Sequence, residues 1–220
     1  MTQPPDNPVL NALVKRRTVK LFAPADKPAS GSLSRERMDR WIAAAGNAPF
    51  HKPSHPDHDA ARDARAREPW RVTKLDANAC AKTVQAMQND GLDPGKLGDM
   101  IRGAEGIALV SFLPNPPETE LGEKEDFEAS FDNMEIIASA GAFCQSLLLA
   151  AESDGYRSYW SSGGDLRKPW GAKYFRRPIG EVIIGALFFF PAETQDGVGE
   201  AVGSLADKRS DHQTWSAWFE

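Results

Sequence analysis

Arg16-Arg17-Thr18-Val19-Lys20 places three cations and a hydroxyl within five residues, directly after a segment in which Val9, Leu10, Leu13 and Val14 recur at helical spacing. The cluster therefore sits at the end of a first helix, where cations complement the negative end of the helix dipole. The same side chains suit a phosphate monoester. Each Arg offers a planar fork that matches phosphate oxygens, Lys a point charge and Thr a hydroxyl donor. Local composition leaves two readings open, a solvated helix end and a phosphate seat.

Outward from this cluster, the chain has the length of one domain, residues 1–220, with enough material to bury a core without staples. Residues 1–8, with three prolines, read as a flexible lead, and 207–220 as a polar tail in which Trp215, Trp218 and Phe219 are placed like an anchoring patch. The formal charge of -5 argues against a broad nucleic-acid-binding surface, although it says nothing about a local basic pocket. Cys80 and Cys144 are too few for a disulfide framework and wrongly spaced for a zinc knuckle. The N-terminal stretch has neither a basic nor an apolar signal region, and the longest strongly apolar run, Val182 to Phe190, is about half of what a spanning helix needs. The expectation is a cytoplasmic protein with no membrane or nucleic-acid partner.

Helical and strand patterns interleave along the chain. Pro24, Pro28 and Gly31 make a loop, and Ser34 caps a second helix with Met38, Trp41, Ile42 and Ala45 on its apolar face, ending near Gly46. Residues 52–68 read as a long, charged surface loop holding most of the histidines. Strands are expected at Trp70–Leu75, Ile107–Leu113, Tyr156–Ser162 and Val182–Phe190, the last central. A short helix is expected over Cys80–Met87, loop over Gly91–Gly98, and the longest helix from about Glu128 to Ser153 with Gly155 at its end. Within that helix Ala138-Ser139-Ala140-Gly141-Ala142 is nearly all small, which lets another backbone approach closely. No strand–GxGxxG–helix unit occurs, so a dinucleotide Rossmann reading fails.

Other constellations bear on chemistry. In Asn47-Ala48-Pro49-Phe50-His51, Asn47 and His51 can present polar groups to a heterocycle or a polyol, or the segment is a plain turn. Trp160-Ser161-Ser162-Gly163-Gly164 combines hydroxyls with glycines that permit close backbone approach, or is equally a turn. His51, His55 and His58 have tempting metal spacing, but Pro53 and Pro56 spoil the geometry and no metal is expected. Cys144, in an apolar helix without a nearby His in sequence, reads as a buried inert thiol.

The order of these pieces resembles the nitroreductase family: Arg16-Arg17-Thr18 after a first helix, a second helix ending in Ala48-Pro49, then Pro69-Trp70-Arg71-Val72 opening a strand. Farther on, Ser139-Ala140-Gly141-Ala142 through Ala151, Gly155-Tyr156, Trp160-Ser161-Ser162-Gly163 and Ile184-Gly185-Ala186-Leu187 are similar to the family's central helix and later strands. The small YdjA-type members share the Ala-Pro-x-His-Lys and Trp-x-Ser-Gly segments, and the resemblance covers most of residues 7–190.

This resemblance implies an α+β fold with a central, mostly antiparallel sheet flanked by helices, in a homodimer with FMN at the interface. It implies cofactor contacts from Arg16, Arg17, Thr18 and Lys20, from Asn47 and His51, and from Trp160, Ser161 and Ser162. It also connects Ala150 to Gly155 with nicotinamide-nucleotide binding. The implied activity is hydride transfer from NAD(P)H through flavin to a nitro, quinone or similar electrophilic small-molecule acceptor, in a ping-pong mechanism with no catalytic side chain. The alternative is a flavin-binding protein with a sensor or carrier role. Three features depart from the family habit. Glu68 stands where Gln is common before Pro-Trp, the 52–68 segment is longer, and the basic residue that many members aim at the phosphate is not clearly aligned, with Lys208 and Arg209 its candidates.

Overall fold

The computed structural model describes residues 7–55, 66–122, 125, 127–178, 180–205 and 208–219. Helix α1 (Pro8–Lys15) starts at Asn7, whose side chain accepts from the Val9 and Leu10 amides, and Pro8 fits a first turn where its missing N–H is not needed. Strand β1 (Val19–Phe22) follows at once, so Arg16, Arg17 and Thr18 occupy a helix-to-strand junction. Helix α2 (Arg35–Ala45) is capped by Ser34 on the Arg37 amide and buries Met38, Trp41 and Ala45. Strand β2 (Trp70–Asp76) leads to α3 (Ala77–Asn89), α4 (Gly95–Gly103) and β3 (Gly106–Phe112). Then come α5 (Phe131–Ser153), β4 (Arg157–Ser161), α6 (Pro169–Tyr174), β5 (Val182–Phe190) and β6 (Gly199–Val202).

The main sheet has the order β2-β3-β5-β4 and is antiparallel throughout. Helices cover both of its faces, and this is why β5 reads as an unbroken apolar run rather than an alternating one. On one face Ala108, Val110, Leu187 and Phe189 meet α2 and α5 through Trp41, Phe143 and Leu147. On the other, Ile107, Leu109, Phe188 and Phe190 meet Val84, Met87 and Ile101 of α3 and α4 together with Leu21 of β1. Each large apolar side chain buried this way contributes about 1.5–3 kcal/mol relative to leaving it in water. The fold is thus the expected α+β architecture.

Helix α5 is 23 residues long, with a mean hydropathy of 1.5 over its most apolar window, enough by length and composition to cross a membrane. Its Ile136, Phe143, Leu147 and Leu148 are instead buried against the sheet and α2. The opposite side carries the small residues. Gly155 just beyond it has φ +82, the left-handed turn that an alanine would strain.

Three features differ from expectation. The loop expected over Gly91–Gly98 gives way to α4, whose glycines let the helix lie tight on β1: a Cβ at Gly103 would stand 3.1 Å from the Leu21 carbonyl oxygen. The short β1 and β6, which no pattern flagged, pair antiparallel with Val19 opposite Val202, although they come from opposite ends of the chain. Helix α6 was likewise not anticipated. Of the 52–68 loop, residues 56–65, including His58, lie outside the described residues, as do 1–6 of the lead; the Ser54 amide donates to the Arg67 carbonyl at 2.7 Å across the loop's base.

Candidate functional site

The β1–β6 pair builds the first part of the site. The Gly203 amide donates to the Thr18 carbonyl at 2.9 Å, which draws the segment after β6 over the end of α1. A Cβ at Gly203 would fall 2.9 Å from that of Thr18, so only glycine fits this approach. The result is a hollow of about 330 Å³ lined by Arg16, Arg17, Thr18, Leu205, Lys208 and Arg209 besides Gly203. Among its described lining residues four are cationic and none is acidic. Burial, and then the charges of Arg209 and Arg17, pull the half-buried Arg16 guanidinium below its ordinary pKa, with Glu152 the one opposing influence. Like charges gathered at a partly dry surface favour an anion between them. The Arg17 guanidinium also donates to the Val14 carbonyl at 2.5 Å, closing the end of α1, so the helix-end and anion-seat readings of this residue coexist.

Lys20 does not line the hollow. Its Nζ stands 4.6 Å over the ring of Tyr159, a cation–π contact that ties β1 to β4. Thr18 bridges directly to Ser158 of β4. From Ser158 to Ser161 and Ser162 is three to four residues of extended chain, about 10–13 Å at ~3.3 Å per residue. A five-carbon polyol ending in a phosphate can cover that distance.

At the end of β4 the Ser161 hydroxyl accepts from the Gly163 amide at 3.1 Å, shaping a turn in which Gly163 takes φ +99. Ser162 is exposed. The Trp160 indole donates Nε1–H to the Ile184 carbonyl at 3.2 Å and lies across Gly185, where a Cβ would come within 2.7 Å of Trp160 Cδ1. The other edge of the indole reaches α5, where Cη2 is 4.0 Å from the position of a Cβ on Gly141.

The second part lies beside that small-residue face. Asn47 donates its side-chain amide to the Ala43 and Ala44 carbonyls and so ends α2. The chain then turns through Pro49 and Phe50 to His51, whose Nδ1 is 3.1 Å from Glu135 Oε2 on α5. Pro49, Phe50, His51, Glu135, Ala138, Ser139 and Ala142 line an open groove of about 400 Å³. Glu135 was not singled out in the sequence, because its meeting with His51 across 84 positions has no local signal. Gly203 and Leu205 escaped notice for the same reason, whereas Lys208 and Arg209 were visible as basic residues without an assigned place.

Two further groups bear on the chemistry. Among the described residues no three His, Cys, Asp or Glu side chains converge as a metal would require, and His58 lies outside them. Burial pushes the Cys144 thiol up to about 12 and Cys80 higher still, so neither is a nucleophile at neutral pH. A cavity of about 380 Å³ at the β2 edge of the sheet is lined by Arg35, Asp39, Lys74, Asp76 and Glu105 among others. There Arg35 pairs with Asp76 at 2.5 Å and Lys74 with Asp39 at 2.6 Å, while Glu105 accepts from Ser30 and Leu33. Its charges are already matched, so it lacks the anion-seeking character of the hollow at Arg16.

Comparison with known proteins agrees with this picture. The model of the nitroreductase family matches residues 13–189. A nitroreductase-like family protein from Bacillus cereus is 21% identical with a TM-score of 0.61, covering 96% of this chain and 98% of that one. Nitroreductase A from Vibrio parahaemolyticus RIMD 2210633 is 13% identical with a TM-score of 0.56, over 86% and 69%. A nitroreductase with bound FMN from Desulfitobacterium hafniense DCB-2 is 16% identical with a TM-score of 0.53, over 97% and 99%. At these identities the likeness speaks for the fold. No curated protein matches the chain.

Proposed function

The chain belongs to the nitroreductase family, and on that premise we propose that it is an FMN-dependent oxidoreductase that takes hydride from NAD(P)H and passes it to a nitro, quinone or similar electrophilic acceptor. The observation that carries this reading is the cationic hollow at Arg16, Arg17, Thr18, Lys208 and Arg209, with Gly203 leaving room for the backbone to approach a ligand. A phosphate dianion is the group whose charge and oxygens suit such a seat. Arg16 and Arg209 would hold it as paired cations, Thr18 as a hydroxyl donor, and Lys208 as a point charge. Ser161, Ser162 and the Gly163 turn, about 10–13 Å along β4, would meet the ring end.

When bound, the flavin supplies the hydride chemistry itself. The chain's own residues position it and exclude water. Trp160 fixes the β4 edge against Ile184 and Gly141, and Phe50 walls the groove near His51. A single groove serving reductant and acceptor in turn gives a ping-pong scheme, in which double-reciprocal plots are parallel.

The reading includes a homodimer. Helix α1 buries none of its residues and leaves Val9, Leu10, Leu13 and Val14 exposed. Phe131, Met134, Trp215, Trp218 and Phe219 are exposed as well, more apolar surface than a monomer usually presents to water. The small-residue face of α5 would be the centre of the interface. Two buried free thiols suit a reducing, cytoplasmic setting.

The test is direct. Purified protein should carry FMN, released by acid, and anaerobic NADH or NADPH should bleach its absorbance within seconds. Colourless protein that takes up no added FMN sinks the reading. Bound flavin that neither nucleotide reduces favours a sensor or carrier instead.

A further inference from the structure

Resting on that function, the geometry points to His51 as the group that delivers a proton to the acceptor, with Glu135 positioning it. His51 Nδ1 is held 3.1 Å from Glu135 Oε2, while 80% of the His51 side chain stays exposed. Nδ1 is thus engaged, and Nε2 is the nitrogen left for water or a ligand. A carboxylate on one ring nitrogen fixes the tautomer and favours the doubly protonated ring. The pair stands on the rim of the groove of about 400 Å³, whose wall is mostly apolar, with the Phe50 ring and the methyls of Ala138 and Ala142 suited to a planar acceptor. Ser139 does not compete for the proton, because its hydroxyl donates to the Glu135 carbonyl. The neighbouring charges, Lys52 and Asp132, pair with each other at 3.2 Å, and no other titratable side chain among the described residues lines the groove.

The chemistry requires such a donor. A para-quinone becomes a hydroquinone by gaining one hydride and one proton. The hydride and its electron pair come from NAD(P)H by way of the flavin. The proton passes from Nε2–H of the His51 imidazolium to the quinone oxygen, so an N–H bond breaks and an O–H bond forms. The neutral ring keeps Nδ1–H on Glu135, and water, which reaches this exposed ring, restores the proton on Nε2.

The experiment compares two acceptors on FMN-loaded protein reduced beforehand: para-benzoquinone, which needs a proton, and ferricyanide, which takes single electrons and none. His51→Gln should lower the quinone-to-ferricyanide ratio of reoxidation rates by about tenfold or more. The wild-type ratio should fall as pH rises and fewer rings carry the second proton, and that dependence should vanish in His51→Gln. A readout independent of turnover is the ¹⁵N spectrum of His51 in the flavin-free protein. Its neutral ring should be the Nδ1–H tautomer, shifting towards Nε2–H in Glu135→Ala. A His51→Gln ratio within about threefold of wild type, a pH dependence that persists without His51, or an unchanged tautomer in Glu135→Ala overturns the assignment. Protein whose flavin is reduced normally but shows any of these loses only the proton pair. Protein without reducible flavin loses the function reading and this inference together.

Discussion

The charge of Arg16 should have opposite effects on the empty and the loaded protein. It is half-buried beside Arg209 and Arg17, and burial and these like charges already disfavour its charged form. Without an anion its positive charge works against the fold. With a phosphate in the hollow the same charge faces a dianion. Arg16→Met keeps the aliphatic stem, and with it the packing, while removing the charge. Loss of a charge-assisted contact costs about 1.5–3 kcal/mol. At about 1.4 kcal/mol per decade this weakens FMN binding roughly 10- to 150-fold. Riboflavin, which lacks the phosphate, should bind both proteins alike. Flavin fluorescence titrations of flavin-free protein give the two affinities, and urea titrations of the same samples give stability, which should hold or rise in the variant. An FMN Kd within about threefold of wild type, together with a less stable flavin-free protein, would show that Arg16 is a structural helix end and not part of an anion seat.

Three further outcomes follow from packing and burial. Gly185→Ala puts a Cβ into the Trp160 indole, so it should cost about 1–3 kcal/mol and alter tryptophan emission, and an unperturbed spectrum with full stability would remove Gly185 from that contact. Glu105→Ala strands the Ser30 amide and hydroxyl and the Leu33 amide, all now bonded to a fully buried carboxylate, and should cost about 3 kcal/mol in denaturant titration, with a loss below about 1 kcal/mol counting against it. The Cys144 thiol has an ordinary value of 9.0 and is raised by burial to about 12 in the folded protein. Its stabilisation is therefore complete below pH 9 and is lost as pH rises from there towards 12, at up to about 1.4 kcal/mol per pH unit. Cys144→Ala should flatten the fall in unfolding free energy between pH 9 and 10.5, and parallel wild-type and variant slopes would contradict the burial argument.

Local patterns carried most of the fold. The caps at Ser34 and the turn at Gly155, the apolar run Val182–Phe190 and the helix up to Ser153 are each set by neighbours a few residues away, and each forms where its pattern places it. Patterns failed where a partner is remote. The glycines of α4 read as loop because their use, close packing on Leu21, is invisible without β1. The four residues of β1 and of β6 are too short to show a period, and each is a strand only because the other is beside it. The same division runs through the site. By itself the sequence determined that Arg16-Arg17-Thr18 ends a helix and that cations there can meet a phosphate, since both follow from residue type and spacing. Only the tertiary structure decided that the pairing of β1 with β6 brings Lys208 and Arg209 onto that cluster, that Lys20 turns away to Tyr159, and that His51 meets Glu135. Electrostatic character depends on which charges end up within a few ångströms of one another, and distance along the chain does not set that.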